Sequence, residues 1–462
     1  MDRHQNYYEV RWKNFKGFKD SKWIKIKPLT ILLGSNNTGK TSFLAPFLLM
    51  NQTLASRDSN SALITKGGVY DGGNIQELVN DYNLGKNISF GFKYHIHETD
   101  EKIEKVGNYP PGGIEVTLGV YGKKEDGEIR VKKESIYDTY FQEFFSFTLK
   151  EKKKYEFSGP LASSKMNAEE IDAIANCSPL NFVFSPDSIL SNFFRKKSKE
   201  TPDETPVKRK KRFTVEFEEV IDALSYNYSR VMRYIGELSY IGPVREHPHR
   251  IYEISNESLN TVGPKGENMA NLMKRYFGNK GRHPKVDEWI KRFEFGDWLE
   301  LKHLYGNTYS IRFRNDGSDI YTSIANAGFG ASQLLPLIIQ ALVSPKGSLT
   351  IAEQPEIHLN PRLQCELADL FAFMVNQKQR AIIETHSEYL LLRLRKLIAQ
   401  KVISNNDVAL YFVEKKNGQS AIKEIPIESD GHIDFKDWPS DFFEDTLRES
   451  ISLANQQAKL KN

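Results

Sequence analysis

Eight consecutive residues, Gly34-Ser35-Asn36-Asn37-Thr38-Gly39-Lys40-Thr41, have the types and spacing of a phosphate-binding loop, with Ser42 following. Glycines at both ends let backbone amides turn inward around the β- and γ-phosphates of a nucleotide. A helix opening behind them adds partial positive charge. Lys40 would place an ammonium on those phosphates, and the Thr41 hydroxyl can ligate Mg²⁺. The bland alternative is a Gly-rich turn. It is disfavoured by context, because the continuous apolar run Leu29-Thr30-Ile31-Leu32-Leu33 precedes the loop and a helical pattern follows it.

Three further stretches carry chemistry that such a loop needs. Leu349-Thr350-Ile351-Ala352-Glu353-Gln354-Pro355-Glu356 reads as a buried strand ending in acidic residues. Glu353 can hold Mg²⁺ across from Thr41, directly or through water. Ile382-Ile383-Glu384-Thr385-His386-Ser387 is a second buried strand with His386 just past its end, one strand–helix unit later. Gly328-Phe329-Gly330-Ala331-Ser332-Gln333 stands before an apolar helix, where small residues and a serine at the helix start make an anion site. A plain capped helix is the alternative for that stretch.

The elements that must position these residues follow from hydrophobic periodicity. Residues 7–33 read as two strands, and 88–96 alternate strictly, which predicts a half-buried strand. Residues 114–121 and 129–137 read as further antiparallel strands. Residues 138–236 are charged, aromatic and expected to be mostly helical. They are interrupted by a mobile loop at 195–212 that contains Lys208-Arg209-Lys210-Lys211-Arg212. Strands are expected at 298–305, 309–314 and 320–324. Helix and strand then alternate: helix 332–343, strand 349–353, helix 361–375, strand 380–384, helix 388–399, strand 408–413. Such alternation predicts parallel strand–helix units. The tail from Ile433 carries Trp438, Phe442 and Phe443 and then a helical pattern.

Composition narrows the class. With 462 residues, 39% hydrophobic and 12% aromatic, the chain can build a sizeable core and is not globally disordered. Its net charge of +4 is spread among intermixed acids and bases, so charge alone does not point to nucleic acid. Cys177 and Cys365 lie far apart and fit no metal or redox spacing, which suits reduced thiols. The opening residues carry no secretion-type apolar stretch. The longest apolar run, 334–343, is half of the ~20 residues a membrane-spanning helix needs. A soluble cytoplasmic protein with no membrane partner is expected.

The four motifs in this order resemble the ABC/SMC-like ATPases of the OLD and RecF kind. They resemble more closely a subgroup of bacterial AAA-family ATPases with a conserved C-terminal tail domain of unknown function. The likeness rests on Asn14-Phe15-Lys16-Gly17-Phe18, the phosphate loop, Tyr240-Ile241-Gly242-Pro243-Val244-Arg245, the Gly328 stretch, residues 353–361, Glu384-Thr385-His386-Ser387 and Trp438-Pro439-Ser440-Asp441-Phe442-Phe443. It covers nearly the whole chain except about residues 138–236. In size and architecture the chain is most similar to the ATPase subunit of PARIS anti-phage defence systems, and next to that of Septu-type systems.

The resemblance implies an α/β, ABC-type P-loop head with a mixed sheet, an antiparallel subdomain and a helical insertion. Residues 1–137 would form an N-terminal lobe with the Walker A loop. Residues 138–236 would be the insertion, 237–424 a C-terminal lobe with signature, Walker B and His switch, and 425–462 the tail. It implies ATP and Mg²⁺ as cofactors, held by residues 34 and 36–42 with Thr41 and Glu353 on the metal. His386 would contact the γ-phosphate. Gly330, Ser332 and Gln333 would form the signature that binds the γ-phosphate of another subunit, which requires an ATP-sandwich dimer or a higher homo-oligomer. Gln52 and Gln76 are both candidates for the Gln that senses γ-phosphate and metal, and a plain surface or cap role fits each equally. Arg245 is either functional or a structural ion pair. ATPases of this kind are often encoded beside a nuclease, so a partner effector nuclease and a phage trigger protein are expected.

One departure matters. ABC proteins usually end the acidic strand Asp-Glu, with Glu polarising the attacking water, whereas here the pair is Glu353-Gln354. An amide cannot accept the proton, and a placed general base contributes about 10²–10⁴ in rate. Slow hydrolysis is therefore expected, with Glu356 as the candidate replacement and Glu353, Gln354, Glu356 and His386 as the catalytic set. A RecF/SMC-like DNA-repair ATPase is the alternative reading. A transporter subunit fits poorly, and long SMC arms would need heptads that 138–236 lacks. The paired aspartates of an OLD-type nuclease do not follow Val413-Glu414. Residues 208–212 lack interleaved aromatics, so a solvated loop is favoured over contact with nucleic acid or an acidic trigger protein.

Overall fold

The computed structural model describes residues 7–94, 111–121, 127–150, 154–163, 165–200, 213–434 and 436. The basic run 208–212 and the aromatic tail with Trp438, Phe442 and Phe443 lie outside the described residues. The chain divides into two compact units. One comprises Met1–Ile26, Ser42–Leu238 and Asn417–Ser420, the other Lys27–Thr41, Ser239–Lys416 and Ala421–Asn462.

The first unit is built on an eight-stranded sheet. Its strands run in the order Phe18–Asp20, Tyr8–Phe15, Ile88–Tyr94, Pro111–Tyr121, Glu128–Asp138, Glu143–Leu149 and Tyr155–Ser158, with Ile24–Ile26 also paired to Tyr8–Phe15. Every registered pair is antiparallel. The core forms around Trp12, whose ring meets Phe47, Phe90 and Phe92 edge-on at 5.2, 5.6 and 5.8 Å. Its indole N–H is satisfied by the Phe43 carbonyl at 3.0 Å, as a buried Trp requires.

Three sequence expectations change here. Residues 7–33 form four strands rather than two, and the last of them belongs to the second unit. Strand Ile88–Tyr94 is not half-buried. Residues 88–92 are all buried, because it lies inside the sheet and Trp23 covers Gly91, where a Cβ would come within 2.9 Å of the indole. Within 138–236, Glu143–Leu149 and Tyr155–Ser158 extend the sheet before helices Ala168–Ala175, Pro186–Glu200 and Val215–Val231 begin. The aromatic residues Phe145, Phe147 and Phe157 pack on one another as sheet core, so aromatic enrichment there marks strand rather than helix.

The second unit carries a six-stranded sheet in the order Leu238–Ile241, Leu349–Glu353, Arg380–Glu384, Leu29–Leu33, Val408–Lys416, Gln419–Glu424. The four central strands pair in parallel. Leu29–Leu33, Leu349–Glu353 and Arg380–Glu384 are buried at every position, the signature of parallel strands covered on both faces. The phosphate loop therefore belongs with the C-terminal motifs, not with an N-terminal lobe, because its strand needs Arg380–Glu384 and Val408–Lys416 as neighbours. Helices Phe329–Val343, Pro361–Asn376 and Glu388–Ala399 supply the apolar cover. A separate four-stranded antiparallel sheet joins Tyr252–Glu253, Trp298–His303, Thr308–Arg314 and Tyr321–Ser323. Among the described residues no helix is long and apolar enough to cross a membrane.

Glu134, on strand Glu128–Asp138, is 1% exposed. One carboxylate oxygen accepts the Phe184 amide at 2.8 Å, and the other has no partner among the described residues. Burial pushes its pKa from 4.5 up to about 8. The folded state then holds this proton more tightly than the unfolded chain does. Its stabilising contribution is fully present below the ordinary carboxylate range and is lost as pH rises to about 8. Glu134→Gln is expected to remove that slope, so the difference in melting temperature between variant and wild type should grow in the variant's favour from about pH 5 to pH 8. Parallel melting profiles for the two proteins would refute the assignment.

Candidate functional site

Parallel strands in register send paired residues to the same side, and here they deliver charge to one edge. Glu353 is paired with Glu384 across the first two parallel strands, and Glu384 with Leu32 across the next. All three strands end at the edge where Gly34–Thr41 turns into helix Lys40–Leu54. Ligand sites of open α/β sheets occupy this carboxyl edge.

The loop conformation requires its glycines. Gly34 has φ +146° and Gly39 φ +111°, and a Cβ on Gly34 would stand 2.3 Å from the Val413 carbonyl oxygen. Asn37, with φ +60°, takes the left-handed conformation that asparagine tolerates. Asn36 and Asn37 are exposed, whereas Thr38 is buried and its hydroxyl donates to the Ser35 carbonyl at 2.9 Å. The Lys40 ammonium is 4% exposed. It donates to the Gly34 and Ser35 carbonyls at 3.0 and 2.9 Å and lies 3.7 Å from a Glu384 oxygen. The Thr41 hydroxyl is 3.1 Å from Glu384 Oε2 and 3.5 Å from Glu353 Oε2.

The electrostatics are those of charges forced together out of water. Burial pushes Glu353 up to about 7, reinforced by Glu384 and opposed by hydrogen bonds from Tyr240 and Thr41. Burial also raises Glu384, with Lys40 opposing, and raises Glu356, whose Oε1 accepts the His386 amide at 2.7 Å. Burial lowers Lys40 against the pull of Glu384. Burial and then Lys40 lower His386, favouring its neutral ring. The next residue, Ser387, caps helix Glu388–Ala399 through the Leu390 amide and donates to Gln364, which fixes the turn bearing the histidine.

The sequence reading gives no role to two residues of this edge and leaves a third, Arg245, between two roles. Glu384 was read as part of the His386 motif and given no role, although it touches both Lys40 and Thr41. Tyr240 donates to Glu353 Oε1 at 2.8 Å. Arg245, 3% exposed, was left undecided. Its guanidinium donates to the Glu353 carbonyl at 3.1 Å and lies 3.5 Å from that of Gln354, so it braces backbone instead of forming a simple ion pair. Gln354 needs bracing: it has φ +44°, and its amide donates to the Glu384 carbonyl at 2.7 Å. The strand-end signal that pointed to Glu353 would have found Glu384 had it been applied twice.

Other expected residues take different places. Helix Phe329–Val343 begins at the Gly328 cap, so Ser332 lies inside it, 5% exposed, and is not the helix start. The opening amides belong to Phe329 and Gly330. Gly330 is small for a reason, since a Cβ would meet the His358 carbonyl oxygen at 3.1 Å. Gln333 is also buried. Gln52 ties backbone, donating to the Ile64 carbonyl and accepting the Tyr70 amide, while exposed Gln76 contacts the Tyr82 carbonyl at 3.3 Å. Both have structural partners.

The donor set fits a triphosphate with a hard divalent cation. A buried ammonium stands beside a loop of turned amides, and three oxygens from Thr41, Glu353 and Glu384 converge. Among the described residues no group of three His, Cys, Asp or Glu forms a protein-only metal cage. Mg²⁺ is ordinarily held by one or two carboxylates together with phosphate and water, and the Thr41, Glu353 and Glu384 oxygens could supply part of that set.

Arg245→Ala should leave the buried Glu353 carbonyl without this donor and the part-buried Gln354 carbonyl without its neighbour, at a cost of about 1–3 kcal/mol in a denaturant melt. Arg245→Lys should not restore it, because a point ammonium cannot fork to both. Unchanged stability in the alanine variant would contradict the bracing role. Comparison with known proteins places the chain. No curated protein is detectably similar to it. Among solved structures it is similar to an SMC head bound to the C-winged helix domain of ScpA, at 12% identity and TM-score 0.42, covering 91% of this chain and 98% of that one. It is also similar to the SMC head domain from Thermotoga maritima, at 10% identity and TM-score 0.36, covering 91% and 98%. A third is the Smc head domain with an extended coiled coil bound to the C-terminal domain of ScpA, derived from Pyrococcus furiosus, at 13% identity and TM-score 0.39, covering 91% and 96%. These likenesses are too distant to carry a function. Residues 403–453 match a protein family of unknown function, DUF3696. Residues 8–391 match the AAA ATPase domain, and the chain belongs to that family of ATPases.

Proposed function

We propose that this ATPase binds ATP with Mg²⁺ on the Lys40 loop, closes it against a second copy of the chain, hydrolyses it slowly, and serves as the sensor and scaffold subunit of an anti-phage defence complex that controls a partner nuclease. The observation that carries the nucleotide reading is the convergence of Lys40, Thr41, Glu353 and Glu384 at the carboxyl edge of one parallel sheet. The loop amides of 34–41 would hold the β- and γ-phosphates, and Thr41 and Glu353 would hold the metal, which supplies neutralising charge. His386, whose backbone amide is held by Glu356, would contact the γ-phosphate through its ring. The helix opening at Gly328, with the Phe329 and Gly330 amides, would meet the γ-phosphate of the other copy; Ser332 and Gln333, buried in the single copy, would have to turn outward on pairing to join them. The defence role rests on the resemblance of the motif order to ATPases of PARIS-type systems; the family matched at 403–453 is one of unknown function and fits the tail domain of that subgroup.

Slow turnover follows from the residue at the strand end. In hydrolysis a water must lose a proton as its oxygen bonds the γ-phosphorus and the bond to the bridging oxygen breaks. Gln354 cannot take that proton. Glu356 is a carboxyl of raised proton affinity two residues away.

Single-turnover hydrolysis should be slow in the wild type, faster by about 10² or more in Gln354→Glu, and slower still in Glu356→Gln. Rates comparable to those of ordinary ABC enzymes and indifferent to both substitutions would contradict the assignment. Co-purification with neighbouring gene products, with and without ATP, should recover a nuclease with the wild type and lose its nucleotide dependence in Lys40→Ala. Salt-dependent DNA binding without such a partner would favour a RecF-like repair ATPase instead.

A further inference from the structure

Glu384 is so far counted only among the converging oxygens, yet it is the acid in closest contact with the loop. Its carboxylate is 6% exposed and has one oxygen 3.7 Å from the Lys40 ammonium. The other oxygen accepts the Thr41 hydroxyl at 3.1 Å, a closer approach than Glu353 makes to the same hydroxyl at 3.5 Å. Glu353 is drawn the other way by Tyr240 at 2.8 Å. Lys40 and Thr41 are the two side chains that a phosphate loop turns toward nucleotide and metal. An anion arriving at Lys40 therefore enters a space whose charge Glu384 already balances.

The buried groups at this edge are unbalanced towards acid. Glu353, Glu356 and Glu384 stand against Lys40 and Arg245, and all five are less than a tenth exposed. At such distances and with little water to screen them, each charge weighs heavily on a polyphosphate. A bare triphosphate meets repulsion from Glu384. The same carboxylate attracts a triphosphate that carries a divalent cation, with the Thr41 hydroxyl beside it as a further hard oxygen donor.

We propose that Glu384 is a specificity-determining residue that makes nucleotide binding depend on the metal, by rejecting the metal-free triphosphate and drawing in the metal-bound one. This rests on the reading of the Lys40 loop as a nucleotide site. The competing role for Glu384 is a counter-ion that only keeps a buried lysine folded. The two roles differ in sign: a specificity residue, once neutralised, improves binding of the bare nucleotide, whereas loss of a structural counter-ion impairs both forms together.

The test measures dissociation constants of a non-hydrolysable ATP analogue for the full chain by calorimetry, in excess EDTA and in excess Mg²⁺, for wild type and Glu384→Gln. The wild type should bind the metal complex much more tightly than the bare nucleotide. In Glu384→Gln the metal-free affinity should rise by about tenfold or more, and the ratio of the two constants should fall by at least that factor. Equal weakening of both forms, or no change in either, overturns the proposal. Should the amide variant fail to fold, Glu384→Asp keeps the charge but withdraws it by one methylene and should lower the ratio part-way. An unchanged ratio there overturns the proposal as well. A wild type that binds neither form would instead defeat the nucleotide reading itself.

Discussion

The structure depends on a mutual neutralisation. Lys40 and Glu384 are almost fully withdrawn from water, with Glu353 and Glu356 beside them. Isolated charges in such a place are costly, so Lys40 and Glu384 are tolerable because each faces the other. Glu353 and Glu356 add acid that burial pushes towards the protonated form, with repulsion from Glu384 adding to this at Glu353. The parallel sheet makes this arrangement possible. Three consecutive buried strands end at one edge and hand their charged residues to the same small volume.

Neutralisation alone would not orient anything. Orientation comes from a second group with no formal part in phosphate chemistry. Tyr240 holds one oxygen of Glu353, and Arg245 holds the carbonyls of the strand end. The left-handed Gln354 then turns the chain away, so that Glu356 arrives under the His386 amide. The segment bearing Tyr240 and Arg245 is itself anchored: the Gly242 amide donates to the Pro264 carbonyl and that of Glu246 to the Lys265 carbonyl. Nearby, the Val262 amide donates to Gln340 on the apolar helix Phe329–Val343. That helix and the acidic strand end are thus linked within one unit by a short run of hydrogen bonds.

Much of this was legible in residue order. The phosphate loop, the strand ending at Glu353, the strand before His386 and the alternation after Ser332 could all be read. Each is a short apolar run with a charged or glycine-rich end, and such signals are local. What could not be read depends on pairing. That Leu29–Leu33 lies between Arg380–Glu384 and Val408–Lys416, far away in the chain, is invisible to periodicity and moved the loop into the second unit. The strands around Phe145 and Phe157 were mistaken for helical insertion because charged turns obscured their alternation. Glu384 carries the same strand-end signal as Glu353 and was legible in that sense, but the register with Glu353 that brings it to Thr41 was not. Ser332 reads as a helix start because small residues precede it, whereas the helix is capped by Gly328 and already runs from Phe329.

The central claim is that a triphosphate seated on Lys40 is completed by the helix opening at Gly328 of another copy. Sedimentation equilibrium of the intact chain tests this most directly, comparing no nucleotide, Mg²⁺-ATP, and Mg²⁺-ATP with Lys40→Ala. The account predicts a mass that rises from one copy to two with Mg²⁺-ATP and does not rise in the lysine variant. A mass that is the same in all three conditions would contradict it.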